Sequence, residues 1–486
     1  MLKQLATYYS TNKFLVWSLF ICSCWYAAIS LVNHYCFRTY SLDLGLYTNA
    51  LYDYAHFQFN DSLTFKSESE NLLADHFDLY LPLFSPLSYI FGTYTLLVVQ
   101  ICSVLFGAIG IYKYVEYIDS DPRSKRSVLL YFLLFFGIFS SLAYDYHSNT
   151  VAAMFIPWLF LKINKNQWKA AWFFLFFILI AKENMALWMI FVTTGLLWIH
   201  RKNREKFKQI TLMVLVCATY TFLIIGVVMP ALSNTGSFQH FKYNVLGANF
   251  SEAIKTIFLH PWETFKLLFK NHNGLPLYDY VKVELWVFIL LVGFLAISKP
   301  IYWWMLLPIF GQKLFHNDPK MWGVQWQYTV EFAGILAIAN YEVIKNMPKK
   351  IKNCFLILVP ILSFATTIRL MDNTIAYTEK ARLRVYKKAH YNREFSISEA
   401  HQVLKLIPKD AVVSAQSAFV PHLALRDTIY TFPDIVNATY LLISPVDNPY
   451  PMDEDTFFQK IDEINQSGEW EAIHKSDEII LYKRIQ

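Results

Sequence analysis

The chain has 486 residues, of which 55% are hydrophobic, 18% aromatic and only 16% charged, against about 25% charged in a soluble domain. This balance excludes an ordinary soluble enzyme and places the bulk of the protein in lipid. The formal net charge of +6 comes mostly from short loops between apolar runs, with no compact basic patch among aromatics, so it reports topology and argues against a nucleic-acid partner.

A basic lead with Lys3 and Lys13 precedes an apolar run at 13–33. Without a small-residue cleavage site, this run is an uncleaved first helix crossing outward. An outer segment from 34 to 93 follows, with an amphipathic stretch at 44–57 and an apolar stretch at 79–92. Were 79–92 to span, the basic loop at 113–126 would lie outside, against the positive-inside rule. With Pro82 and Pro86 interrupting it, the stretch reads as a juxtamembrane helix on the outer interface. Further spans are expected at 94–112, 127–143, 148–161, 170–181, 184–199, 209–230, 284–298, 301–315, 327–344 and 353–369, about eleven in all. The pair at 170–199 is short for a bilayer of about 30 Å, so it reads as a tilted or broken hairpin with its tip at Lys182-Glu183.

Under this count the basic groups alternate with acidic and histidine groups. Lys113, Arg123, Lys125, Arg126, Lys162, Lys165, Lys169, Arg201 to Lys208, Lys299 and Lys345 to Lys352 fall on one side, and Asp43, Asp75, His76, Asp145, His147, Lys182, Glu183, His316 and Asp318 on the other. Retention of Lys and Arg makes the first side cytoplasmic. The expectation is a multi-pass protein of the cell (inner) membrane, N-terminus cytoplasmic and C-terminus extracytoplasmic.

Beyond residue 371 the composition turns polar, and short extended runs alternate with helical ones. Helices are expected at Ser398 to Leu406 and Asp455 to Gln466, strands at Ala411 to Ala415, Thr428 to Phe432 and Tyr440 to Ser444, and a final hairpin at Trp470 to His474 and Glu478 to Lys483. The fold class is thus mainly α, a polytopic helical membrane domain (1–371) followed by a small α/β extracytoplasmic domain (372–486). Gly468 is the only glycine of that second domain and no phosphate-binding loop is present. The six cysteines show neither a disulfide framework nor a metal-knuckle spacing.

Four polar clusters carry candidate chemistry, each with a plainer reading. Asp43 is as well placed to cap a helix as to act in catalysis. Asp75-His76-Phe77-Asp78 reads equally as a solvated interfacial loop, and Tyr144-Asp145-Tyr146-His147 as a turn between spans. Lys182 and Glu183 are flanked by long apolar runs, and ionisable groups at such depth face a cavity or one another. A mutual ion pair is the plainer alternative there.

Asp43-Leu44-Gly45, His76-Phe77 leading into Leu81-Pro82-Leu83-Phe84-Ser85-Pro86-Leu87-Ser88-Tyr89, and Gln100 resemble the opening of the membrane-protein family called domain of unknown function 2079. Asp145-Tyr146-His147 is similar to its Asp-Phe-His turn, and Lys182-Glu183-Asn184 to its Lys-Glu-Asp, with Asn184 replacing an acid. The outer domain matches its C-terminal part through 407–416 and through Val420-Pro421-His422-Leu423. That family in turn resembles glycosyltransferases of the GT-C type, which take a sugar from a polyprenyl-phosphate donor at the outer membrane face.

The resemblance implies an inverting hexosyl or pentosyl transfer to a glycan, lipid or protein acceptor. It assigns Asp43, His76 and Glu183 to catalysis, and Asp75, Gln100, Asp145, His147, Lys182 and His316 to substrate binding. A carboxylate would take the acceptor's proton while cations stabilise the leaving phosphate. Magnesium or manganese held by Asp43, Asp145 and Glu183 is a conceivable cofactor, since oxygen-rich sites suit those ions. The alternative is a transporter or flippase for a lipid-linked sugar, although no internal repeat is evident. A third reading, a membrane scaffold, leaves the Lys-Glu pair without purpose.

Overall fold

The computed structural model describes residues 12–376 and 379–485, so Lys3 lies outside the described residues. Six helices are long and apolar enough to cross a membrane: Lys13–Tyr35, Tyr80–Ile118, Pro122–Leu142, Arg204–Leu232, Pro276–Ser298 and Lys349–Asp372. The remaining expected spans are helical but shorter or broken. Trp168–Leu179 and Glu183–Ile199 form the hairpin, with Lys182 in extended conformation at its tip. Ser148–Ala153 and Ile156–Asn164 are one interrupted span, and Pro300–Leu314 and Phe332–Ile344 complete the set. Every expected span thus has a helical counterpart.

The stretch at 79–92 is a helix broken from the span that follows. Helical turns run over 80–91, Gly92 breaks them at φ 56°, and a regular helix resumes at Thr95. Leu83, Tyr89, Ile90 and Phe91 project outward from it, as an apolar face lying against lipid requires.

The basic loops converge on one end of the bundle. Asp119 accepts from Lys352 Nζ at 2.6 Å and from the Tyr341 hydroxyl at 2.7 Å. The Lys206 ammonium donates to the Asn164 carbonyl, Trp168 donates to Glu205, and Arg126 lies over the Phe14 ring. Helix Lys13–Tyr35 starts at this end, so the segment holding Asp43 emerges at the opposite one.

The C-terminal domain carries a five-stranded sheet, β1 (Val413–Ala415), β2 (Ile429–Thr431), β3 (Tyr440–Ile443), β4 (Trp470–Lys475) and β5 (Ile480–Arg484), in the order β2-β1-β3-β5-β4. β1 pairs in parallel with β2 and β3, and β5 runs antiparallel to β3 and β4. Alternate residues of β3 face opposite cores, because strand side chains alternate. Leu442 joins the core under helix Ile397–Leu404, whereas Leu441 and Ile443 pack toward helix Glu454–Gln466.

The first of these cores also contains Phe37, from the loop after the first transmembrane helix. The domain is therefore seated on the segment that carries Asp43. Arg38 reinforces the contact by donating to the carbonyls of Ala389, His390 and Asn392.

Candidate functional site

Asp43 lies in a single wide helical turn, Ser41–Gly45, entered from an extended Tyr40. That turn is held by Asp145, whose Oδ2 accepts the backbone N–H of Tyr40 at 2.9 Å and of Leu44 at 3.4 Å. Asp145 is itself buried, with the Arg382 guanidinium 4.0 Å away to balance its charge. Oδ2 is thereby committed to the main chain while Oδ1 makes no hydrogen bond, and Asp145 positions the turn from behind where substrate contact had been expected.

Gln100 stands further back. Its Nε2 donates to the Asp145 carbonyl at 3.0 Å and its Oε1 accepts the His147 N–H at 2.9 Å, with no solvent exposure. Both ends of the amide are used on the main chain, so Gln100 sets the conformation of the turn and has no group to spare for a ligand.

The Asp43 side chain caps no helix, which removes the plainer reading of this residue. Its carboxylate is 24% exposed and faces His147 Nε2 at 3.9 Å. Burial, followed by repulsion from Asp145, raises its pKa to about 7 against the pull of Lys182, the Tyr144 hydroxyl and Arg382. Burial likewise pushes His147 well below its ordinary value, with the charge of Lys182 adding to it. His147 is a neutral imidazole stacked on Tyr144 at 5.6 Å.

A second group forms around His76. Its Nδ1 is 3.4 Å from Glu183 Oε1, its Nε2 is 3.7 Å from Asp75 Oδ2, and the Lys182 ammonium is 3.3 Å from that same Nε2. Glu183 is oriented by the Phe77 N–H, which donates to Oε2 at 3.2 Å. Lys182 and Glu183 do not pair with each other, so the ion-pair alternative falls away; each meets a different nitrogen of His76.

His240 completes this group, its ring stacked on His76 at 4.4 Å and its Nε2 3.3 Å from Asp75 Oδ1. Burial opposes ionisation of Asp75, yet the two imidazoles and Lys66 outweigh it and hold the carboxyl below its ordinary range.

Both groups belong to one neighbourhood. The buried Tyr47 lies within electrostatic reach of Asp43, Asp75, Asp78 and Glu183, and the charge of Lys182 acts on Asp43, Asp78 and His147. Asp43, His76, Asp145, His147, Lys182 and Glu183 are thus brought together. His316 is peripheral: its Nδ1 accepts the Asp318 N–H at 3.0 Å and its carbonyl accepts from Trp322, which shapes the loop after Pro300–Leu314.

Tyr47, His240 and Arg382 were not singled out from sequence. Tyr47 lies on an ordinary amphipathic stretch, His240 is a lone histidine in a long loop, and Arg382 lies beyond the last span. Only the position of His240 in an outer loop offered any signal.

Beside the second group an apolar groove of about 610 Å³ runs between Phe77, Leu83, Phe177, Ile180, Tyr220 and Ile224. Phe77 is shared between the groove wall and the hydrogen bond to Glu183.

Comparison with known proteins adds a family and a distant structural likeness. The model of the family described as "Predicted membrane protein (DUF2079)" matches residues 33–481. No match was found among curated proteins. Among solved structures the chain is similar to the arabinofuranosyltransferase AftD from mycobacteria, at TM-score 0.43 and 14% identity, over 95% of this chain. The chain spans 41% of the length of that protein.

Proposed function

The chain belongs to the DUF2079 family of predicted membrane proteins, and on that premise we propose that it is a membrane glycosyltransferase. It would transfer a sugar from a polyprenyl-phosphate donor to an acceptor at the outer face of the membrane. The observation that carries this reading is Asp43: a partly exposed carboxylate with a pKa of about 7, in a turn fixed from behind by Asp145, facing the His147 imidazole and within the field of Lys182 and Arg382. A general base works best when its pKa lies near the operating pH.

In the proposed step the acceptor hydroxyl attacks the sugar's anomeric carbon and its proton passes to Asp43. The bond from that carbon to the phosphate oxygen breaks, the configuration inverts, and polyprenyl phosphate leaves with the bonding electron pair. The Lys182 ammonium is the cation closest to hand for the phosphate, and it is held near the site by His76. The apolar groove beside Phe77 suits the first isoprene units of the carrier. Asp145 and Gln100 are positioning residues in this scheme, and the sugar and acceptor are set by groups that the reading does not specify.

The test uses purified protein in nanodiscs with radiolabelled polyprenyl-phosphate hexoses and pentoses, following release of polyprenyl phosphate and formation of a glycosylated product. Release by the wild type and its loss in Asp43→Asn are expected. Movement of intact lipid-linked sugar across vesicles without cleavage would replace this reading with a flippase.

A further inference from the structure

We propose that Asp75, His76 and His240 bind a divalent transition-metal ion of the zinc type, at a three-ligand site with an open fourth position. Among the described residues this is the one group of three or more His, Cys, Asp or Glu side chains able to offer ligand atoms mutually within 4.8 Å. The oxygen-rich set expected from the sequence, Asp43, Asp145 and Glu183, does not bring its carboxylate oxygens within that mutual distance.

The spacing fits the ion. Bonds of roughly 2.0–2.2 Å in tetrahedral geometry put ligand atoms roughly 3.3–3.6 Å apart. Asp75 Oδ1 is 3.3 Å from His240 Nε2, and Asp75 Oδ2 is 3.7 Å from His76 Nε2. Asp75 presents a different oxygen to each histidine, and the stacked His76 and His240 rings must rotate for their lone pairs to converge on the ion.

The surroundings also fit. A histidine that ligates through one nitrogen commonly gives its other N–H to a carboxylate, which fixes the tautomer. His76 is placed for this arrangement without completing it: Nδ1 is 3.4 Å from Glu183 Oε1, and Glu183 is oriented by the Phe77 amide. A self-sufficient hydrogen-bond network would not look like this, because the buried His76 Nδ1 and His240 Nε2 make no hydrogen bond of acceptable geometry.

Two imidazoles and one carboxylate select zinc over magnesium, which prefers an all-oxygen shell. The Lys182 ammonium, 3.3 Å from His76 Nε2, occupies the approach to that nitrogen. The ion takes its place, so lysine and metal compete for one ligand atom.

The site also joins two distant pieces of chain. The loop bearing His240 is anchored by Glu70, which accepts from the Asn234 N–H at 2.8 Å, Ser233 Oγ at 3.1 Å and Gln239 Nε2 at 3.0 Å. A metal at Asp75 and His76 would clamp this loop over the outer site. The proposal stands on these ligands alone and does not depend on the glycosyltransferase reading.

The test uses full-length protein in nanodiscs, stripped with a chelator and titrated with Zn2+ and Co2+, with bound metal measured by mass spectrometry. One equivalent is expected in the wild type. Affinity should fall by at least about tenfold in His240→Ala and in Asp75→Ala, and rise in Lys182→Gln. His240→Cys should keep the metal and add a thiolate-to-cobalt charge-transfer band, which identifies position 240 as a ligand even if the alanine variants fold poorly. Wild-type binding no greater than that of a folded Asp75→Ala/His240→Ala double variant overturns the site, as does a cobalt-loaded His240→Cys without that band.

Discussion

Gly45 and Val420 meet so closely that a β-carbon on the glycine would lie 2.8 Å from the valine Cγ1. Gly45 has ordinary helical dihedrals, so the demand on it is for space and not for an unusual backbone. Through this contact the helix Val420–Leu423 of the C-terminal domain presses on the turn that holds Asp43. The Ser41 and Ser417 hydroxyls, 3.0 Å apart, and Asn49, which donates to the carbonyls of Ala424 and Arg426, extend the same interface. The C-terminal domain therefore forms a wall of the candidate site.

Gly45→Ala should destabilise this docking by about 1–3 kcal/mol, the usual cost of overpacking. Val420→Ala in the same chain should recover most of the loss. Thermal melts and limited proteolysis of the outer domain report both effects, and failure of the second substitution to compensate would show that the contact is not the cause.

Gln100→Ala leaves the Asp145 carbonyl and the His147 N–H without partners in a site closed to solvent. Each orphaned group costs about 1–3 kcal/mol, so a clear fall in melting temperature is expected. Activity should fall too, through displacement of His147. A variant that melts and reacts like wild type would contradict the positioning role.

Asp43→Asn should cut the transfer rate by about 10²- to 10⁴-fold while leaving the fold intact. In the wild type the rate should rise with pH to a plateau, with its midpoint at about 7, because the base acts only when ionised. A flat profile across that range would remove Asp43 from the proton-transfer step.

The stability contribution of the buried carboxyls should run in the opposite direction. Burial is the main cause that raises Asp43, Asp53 and Asp78 from 3.8 to about 7 in the fold. Between those values these three carboxyls hold more protons in the folded state than in the unfolded one, so their contribution is lost as pH rises through this window. The buried His76, His147 and His422, held below their ordinary value, contribute in the opposite sense. In nanodisc melts from about pH 4 to about pH 7, the stability of wild type relative to Asp78→Asn should fall as pH rises, and a difference that does not change with pH would show that Asp78 is not held protonated by the fold.

Cysteines placed at positions 121 and 455 should differ toward an impermeant thiol reagent on intact cells. Asp121 lies in the basic loop that meets Lys352 through Asp119, and Asp455 lies on the C-terminal domain, seated at the opposite end of the bundle. Labelling at 455 only is expected, and labelling at 121 only would invert the topology.

The sequence by itself determined where the helices lie. Length and apolar composition are local properties, and the bilayer imposes one length scale on every span, so the helices beginning at Lys13, Thr95, Glu183 and Lys349 fall within a few residues of where they are read. The strands of the C-terminal domain were legible for a similar reason, as short runs rich in β-branched, aliphatic and aromatic residues between turns, although β1, β2 and β3 are buried on both faces and show no alternation. Charge alternation likewise gathered Asp43, His76, Asp145, His147, Lys182 and Glu183 on one side.

Only the tertiary structure decided what each of those groups does. A carboxylate's role depends on who satisfies its lone pairs, and for Asp145 the answer is the Tyr40 amide, 105 positions away. Packing alone makes Asp145 a support and leaves Asp43 partly exposed with a raised pKa. The sheet order, the seating of Val420 on Gly45 and the arrival of His240 beside Asp75 have the same origin. Each is a contact between residues far apart in the chain, which local propensity cannot encode and which the collective burial of the two domains brings about.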